Sequence, residues 1–121
     1  MKKGILNELL ATHNIDVIEQ HLVYSFLQNK NLDFSASELI TILLKDFTVQ
    51  TDVYLLVSAL EITDLKWLEN YLELLIPTVD RKINGAFFTP TYVVDFIIDE
   101  VQPTENDKCL DPSCGCGAFL I

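Results

Sequence analysis

The sequence is poor in basic residues, and this shortage limits what the chain can bind. Its 121 residues include 8 lysines and arginines against 18 aspartates and glutamates, a formal net charge of −10. A surface that binds nucleic acid needs clustered lysine and arginine to neutralise phosphates, and the only local basic pairs are Lys2–Lys3 and Arg81–Lys82. We therefore predict that this chain by itself is a poor binder of nucleic acid and no better a binder of anionic membranes.

Long apolar runs and well-spaced cysteines are also lacking. No stretch approaches the ~20 apolar residues of a membrane helix, and Glu8 interrupts the first apolar run too early for a secretion signal. Cys109, Cys114 and Cys116 form a C-x4-C-x-C pattern without a nearby histidine, which is a poor zinc motif. Because Cys114 and Cys116 are too close to bridge easily, the sequence favours reduced thiols, no bound metal and a cytoplasmic protein.

Apolar residues at helical spacing dominate the first part of the chain. The pattern predicts helices over residues 14–28 and 63–76, and Pro77 is expected to stop the second of these. Residues 51–60 are apolar enough to be either a buried helix or a strand, and a helix is favoured because the neighbouring segments are helical. The fold class is therefore mainly α, with a helical bundle as an N-terminal domain over residues 1–80. A capping box from Ser35 to Glu38 predicts a further helix start, at which the Ser35 hydroxyl accepts a hydrogen bond from a backbone N–H of the first turn.

The histidines and the tryptophan of this region are interpreted as ordinary surface or core residues. His13 and His21 stand eight positions apart with no third ligand nearby, and Trp67 lies within an apolar helical pattern. Isolated residues of these types are more often structural than functional.

Glycine and proline concentrate after residue 83, where a second domain over residues 81–121 is predicted to begin. We predict a turn at residues 83–85 and an extended piece at 86–88. A helix is expected to start at Thr89–Pro90, with threonine as its cap and proline at its first position, and to end before Pro103. Cys109–Leu110 is interpreted as the end of a short buried strand, and residues 118–121 as the start of another helix.

The loop between this strand and this helix, DPSCGCG, has the character of a ligand site. In open α/β sheets ligands bind beyond the carboxyl ends of strands, and glycines allow a close approach of the backbone. A helix N-terminus next to the loop would offer free N–H groups to an anion. A plain turn is the alternative, because the spacing is neither G-x-G-x-x-G nor a P-loop.

Two motifs in this order resemble those of adenine-N6 DNA methyltransferases, including the modification subunits of type I restriction systems and fused restriction–modification enzymes. The segment GAFFTP at residues 85–90 is similar to the family's G-x-[FY]-[FY]-T-P motif. The segment DPSCGCGAFL at residues 111–120 is similar to its D-P-[AS]-C-G-[ST]-G-x-[FL]-[LI] motif, with Cys116 in place of serine or threonine. The resemblance covers residues 85–121.

The resemblance implies a cofactor, a fold and a set of site residues. The cofactor is S-adenosylmethionine, and the fold after residue 80 is the first strand–loop–helix of a truncated α/β, Rossmann-like methyltransferase domain. The loop backbone would wrap the methionine part of the cofactor, Thr89 would lie near its carboxylate, and aromatic and proline side chains would pack around it. The implied cofactor-binding residues are Phe87, Thr89, Pro90, Asp111, Pro112, Gly115, Gly117 and Phe119.

The family's catalytic motif, [DNS]-P-P-[YFW], has no counterpart here, because no two of the four prolines are adjacent. No catalytic residue is therefore assigned. By resemblance, the chain is expected to be the front end of a longer prokaryotic enzyme that is inactive alone. Double-stranded DNA would bind through the missing C-terminal part, and a specificity or restriction subunit would be a further partner. Two alternatives stay open: residues 1–80 as a helical protein–protein interaction module, and a free-standing small-molecule binder.

Overall fold

The structure is a computed structural model that describes residues 2–84, 87–115 and 117–120. Over these residues all regular secondary structure is helical, which confirms the mainly α prediction. None of the helices in these ranges is long and apolar enough to cross a membrane. The helices are α1 Lys3–Thr12, α2 Ile15–Asn29, α3 Glu38–Leu43, α4 Thr51–Ser58, α5 Leu65–Leu75, α6 Thr78–Asn84 and α7 Thr91–Val101.

The chain divides into two compact units, Met1–Leu75 and Ile76–Ile121. In the first, the helical unit, α2 packs against α1, α4 and α5, and α1 also packs against α4. Ile18 and Leu22 of α2 and Val53 and Val57 of α4 are completely buried. Such side chains lie three to four positions apart on each helix, so each helix presents one apolar face to a common core. The three helices predicted here are α2, α4 and α5.

A buried histidine joins two helices of this unit. The His21 ring is 1% exposed, and its Nδ1 lies 2.7 Å from the Val17 carbonyl oxygen in the preceding turn of α2. The Gln50 N–H, at the start of α4, donates to His21 Nε2 over 3.0 Å. Nδ1 is therefore the protonated nitrogen and Nε2 the acceptor in a neutral ring. The ring also meets Phe47 edge-on at 4.8 Å between centroids.

Glu69 of α5 is a buried charge that the sequence pattern does not predict. The residue is 4% exposed, and Lys66 Nζ lies 3.1 Å from its Oε2. The two groups form an ion pair, but their relative orientation is not that of a hydrogen bond. Oε2 therefore has no hydrogen-bond partner in the part of the chain that the structure describes. Burial of a carboxylate in this way lowers stability unless the ion pair offsets its desolvation.

Two predicted helix starts are wrong in their details. The cap of α3 is Ser37, whose Oγ accepts from Ile40 N–H. The Ser35 N–H, which Glu38 would bind in a capping box, donates instead to Asp33 Oδ1 over 2.9 Å. At α7, Pro90 is the N-cap and its ψ of 142° keeps it extended, so the helix begins one residue later than predicted. The Thr89 hydroxyl therefore does not cap this helix.

The second unit, which we call the motif unit, contains α6, α7 and the segment that follows. The predicted Rossmann-like strand–loop–helix is a misprediction: residues 107–110 form no strand and residues 117–120 form turns. Leu110 is 86% exposed rather than buried. A β-strand needs a neighbouring strand that pairs with its N–H and C=O groups. The described residues contain no such neighbouring strand. The predicted turn and extended piece at 83–88 include Gly85 and Ala86, which lie outside the described residues.

We predict that His21→Leu lowers the free energy of unfolding by about 0.5–1.5 kcal/mol, because the part-buried hydrogen bond from the Gln50 N–H is lost. Urea titration followed by circular dichroism measures this change. His13→Leu is the matched control, since His13 is only partly buried and contacts the exposed Asp52 carboxylate at 3.2 Å. An equal loss in both variants would assign the effect to general helix destabilisation.

The ion pair of Lys2 with Glu61 predicts a pH-dependent contribution to stability. The Lys2 ammonium donates to Glu61 Oε2 over 2.6 Å, and this hydrogen bond lowers the pKa of Glu61 below its ordinary value of 4.5. The contribution is present above pH 4.5 and is lost as the pH falls through the lower pKa of the folded state.

Glu61→Gln should therefore be less stable than the unchanged protein near neutral pH, with the difference vanishing in acid. Urea titrations at a series of pH values check this expectation. Glu8→Gln, at an exposed position of α1, is the control. A Glu61→Gln difference that persists unchanged in acid would contradict the assignment.

Candidate functional site

The predicted cofactor loop is a succession of tight turns. Asp111 Oδ1 accepts from Ser113 N–H over 3.0 Å, which closes the first turn. The Gly117 N–H donates to the Cys114 carbonyl over 2.8 Å, and the Leu120 N–H donates to the Gly117 carbonyl over 2.8 Å. Asp111 is thus a structural residue of this loop as well as a predicted ligand. Cys116 lies outside the described residues.

Both glycines of the loop adopt backbone conformations that favour glycine. Gly115 has φ of +55° and Gly117 has φ of +89°, and a side chain at either position would be strained. Among the described residues, apart from each glycine's neighbours in the chain, no heavy atom lies within 4 Å of a Cβ built at either glycine, so the space above them is open to these residues. The glycines are therefore required by the turns, and they leave room for a ligand against the backbone.

The first motif lies at the start of α7. Phe87 is 79% exposed, and Thr89 and Pro90 are also exposed. The Pro90 carbonyl accepts from Val93 and Val94 N–H and so holds the first turn of the helix. Within the described ranges no hydrogen bond joins Thr89 to the glycine loop, so its predicted position near a bound carboxylate remains a prediction.

Arg81 of α6 supports this motif and was not singled out in the sequence for that role. Its guanidinium lies 5.6 Å from the ring centroid of Phe88, within the range of a cation–π contact. Its Nε donates to the Ile76 carbonyl oxygen over 2.9 Å. Arg81 therefore links the start of the motif unit to the aromatic pair Phe87–Phe88. The basic pair Arg81–Lys82 was visible in the sequence, but its contact with Phe88 was not.

The remaining predicted site residues lie within the loop or directly after it. Pro112 is exposed, whereas Asp111 and Phe119 are half-buried. The two cavities whose lining is described lie in the helical unit instead. One, of about 250 Å³, is lined by Lys2, Leu60, Glu61, Trp67 and Tyr71, and the other, of about 340 Å³, by Asn29, Lys30, Ser58, Glu61 and Thr63.

Comparison with known proteins gives the motif unit a context. The family model of N-6 DNA methylases matches residues 69–121. The C-terminal part of this chain resembles an N-6 DNA methylase. The methylase subunit of the type I restriction enzyme EcoEI from Escherichia coli is 39% identical over 36 residues, which cover 30% of this chain. No solved structure matches.

The chain spans 7% of the length of that methylase subunit. The N-6 methylase match begins at Glu69, within α5, and therefore extends sixteen residues upstream of Gly85, where the sequence motifs begin. It takes in the last part of α5, all of α6 and the Arg81–Phe88 contact. The resemblance to N-6 methylases thus includes the residues that position the first motif.

We predict opposite effects from alanine at two glycines. Gly117→Ala forces a side chain into positive φ and should weaken the turn by about 1–2 kcal/mol. Gly4→Ala, within α1 and with open space around it, should stabilise its helix by up to about 1 kcal/mol. Amide hydrogen exchange at Leu120, whose N–H donates to Gly117, reports the first effect, and thermal unfolding reports the second. Unchanged exchange at Leu120 in Gly117→Ala would contradict the strain argument.

Proposed function

We propose that this chain is the N-terminal part of a site-specific DNA adenine-N6 methyltransferase of a restriction–modification system. The observation that carries the proposal is the similarity of residues 69–121 to N-6 DNA methylases. The similarity to a type I methylase subunit supports the restriction–modification setting. The chain contributes one part of an S-adenosylmethionine site and no catalytic residue.

In this proposal the glycine loop receives the methionine part of the cofactor. Open space above Gly115 and Gly117 lets a ligand approach the backbone, and Gly115 N–H makes no hydrogen bond with the described residues. Thr89, also without a described hydrogen bond, supplies a hydroxyl for the cofactor carboxylate. Phe87, Pro90 and Phe119 supply apolar surface, and Asp111 and Pro112 fix the first turn of the loop.

The cofactor supplies the methyl group, and the residues of this chain bind and orient it. Methylation of a base amine also needs groups that accept from the amine and stack on a flipped-out base. The proline pair that would carry these groups does not occur in the sequence. In this proposal the rest of a longer enzyme provides catalysis and the basic surface for double-stranded DNA, and a specificity or restriction subunit is a further partner. The site of action is the prokaryotic cytoplasm.

A second function is favoured by a different observation. Helix α3 has no buried residue, and Leu39 and Ile42 are 81% and 63% exposed. Exposed apolar pairs of this kind occur at protein–protein interfaces. The helical domain would then be an interaction module without catalysis. Loss of binding to a co-expressed specificity subunit in Leu39→Ser/Ile42→Ser, in a chain that circular dichroism shows to be as helical as the unchanged protein, would favour this function.

The primary proposal is tested with a chimera of the Escherichia coli methylase subunit in which residues 85–121 of this chain replace the corresponding motifs. We expect the chimera to methylate DNA in the presence of its partner subunits. Gly117→Val in the chimera should lower methylation by about tenfold or more, because it strains the loop and fills the open space. Lys108→Ala, at an exposed position before the loop, is the control.

The isolated chain is tested separately by calorimetric titration with S-adenosylmethionine. We expect no micromolar binding in a chain that circular dichroism shows to be helical, since contacts to the ribose and adenine are missing. Micromolar binding that Gly115→Val/Gly117→Val abolishes would mean that the loop suffices as a cofactor site.

The chimera has its own contradicting outcome. A folded chimera that fails to methylate, while the unaltered methylase subunit is active, would contradict the assignment of the loop itself.

A further inference from the structure

Helix α7 exposes an aromatic pair on one face. Tyr92 and Phe96 are 76% and 64% exposed, and they stand four residues apart, so their rings are neighbours on the helix surface. Val94, on the opposite side, is the buried residue of this helix. The aromatic pair therefore belongs to a second face of α7, distinct from the face that packs within the protein.

Acidic residues flank this pair in an arrangement that destabilises the helix itself. Asp95 and Asp99 are four residues apart, where like charges repel. Asp99 and Glu100 lie in the last turn, next to the negative end of the helix dipole, and α7 contains no lysine or arginine. Across the described part of the chain no cation forms an ion pair with these three carboxylates. Among the residues that the structure describes, their charge is therefore uncompensated.

We propose that this face of α7, formed by Tyr92, Asp95, Phe96, Asp99 and Glu100, docks a basic, amphipathic polypeptide segment. Apolar side chains of the partner would cover the two aromatic rings. Its lysine or arginine side chains would pair with the carboxylates, which relieves the repulsion and the unfavourable interaction with the helix dipole. This inference does not depend on the proposed methyltransferase function.

The charge of the surface excludes other occupants. DNA and anionic lipid present negative groups to the same three carboxylates and are repelled. A second copy of this chain carries a net charge of −10 and is disfavoured for the same reason. A neutral apolar segment would cover the rings but would leave the acidic groups unpaired beside it. A positively charged segment is the one class that satisfies both features.

The test uses a fluorescent helical peptide of ~18 residues, with leucine on one face and lysine on the other. The same pattern with glutamate in place of lysine is the matched peptide. We expect fluorescence anisotropy to detect binding of the lysine peptide to the full chain and no binding of the glutamate peptide. In NMR spectra of the labelled protein, this peptide should shift the amide signals of α7 and leave those of α3 unchanged.

Matched variants distinguish binding of the peptide at this face of α7 from general electrostatic attraction of the peptide to an acidic protein. Asp95→Asn/Asp99→Asn/Glu100→Gln and Tyr92→Ser/Phe96→Ser should each weaken binding by about tenfold. The control for the charge variant removes three negative charges at exposed positions elsewhere, in Glu8→Gln/Asp16→Asn/Asp46→Asn. The control for the aromatic variant replaces another exposed apolar pair, in Leu39→Ser/Ile42→Ser. Each control should change affinity by less than about twofold.

Three results would overturn the proposal. Equal losses in the α7 variants and the controls would show that only net charge attracts the peptide. Binding of the glutamate peptide with similar affinity would remove the electrostatic argument. No binding of the lysine peptide, in a chain that is helical by circular dichroism, would show that this face does not dock such a segment.

Discussion

The packing of α2 between α1, α4 and α5 is the interaction on which the helical unit depends. Ile18 and Leu22 are wholly buried, and each fully buried aliphatic side chain contributes about 1.5–3 kcal/mol. The same helix carries His21, whose ring satisfies the backbone at the start of α4. Apolar burial and a polar contact therefore act on one pair of helices and fix where α4 begins relative to α2.

The motif unit depends on a different constraint, which is the pairing of backbone groups by local turns. Without neighbouring strands, the segment after α7 pairs its N–H groups through Asp107, Asp111 and the carbonyls of Cys114 and Gly117. The positive φ of two glycines makes these turns possible. Helix termini and tight turns are local structures, so they form here where a sheet does not.

The helices of the first unit could be predicted from the sequence because apolar spacing directly reports a buried helix face. The very apolar α4 was predicted as a helix from its context, and the structure agrees. Exact caps were harder to predict. Ser35 and Ser37 offer equivalent hydroxyls, and in the structure Ser37 is the cap whereas Ser35 lies in the turn that Asp33 closes. The buried Glu69 could not be foreseen, since its burial depends on packing around α5 rather than on its own position in a pattern.

The candidate site shows where sequence motifs reach their limit. They identified Gly115 and Gly117, and both have the conformations that demand glycine. The sequence was also interpreted to contain a strand before the loop, ending at Cys109–Leu110, and the structure has none there. Pairing of strands is a long-range property, so a short segment cannot specify it alone. The Arg81–Phe88 contact likewise depends on how α6 leads into the motif.

The way in which Lys2 is held affects where the chain tolerates added sequence. Its backbone N–H donates to the Tyr71 hydroxyl over 3.3 Å, and its ammonium reaches both the Ala59 carbonyl and Glu61. A tag fused directly ahead of this residue would compete with contacts that close the helical unit. Residues 102–108 form an exposed polar stretch of the motif unit, and surface loops of this kind accept insertions best. An internal tag there would leave the sequence around Lys2 unchanged.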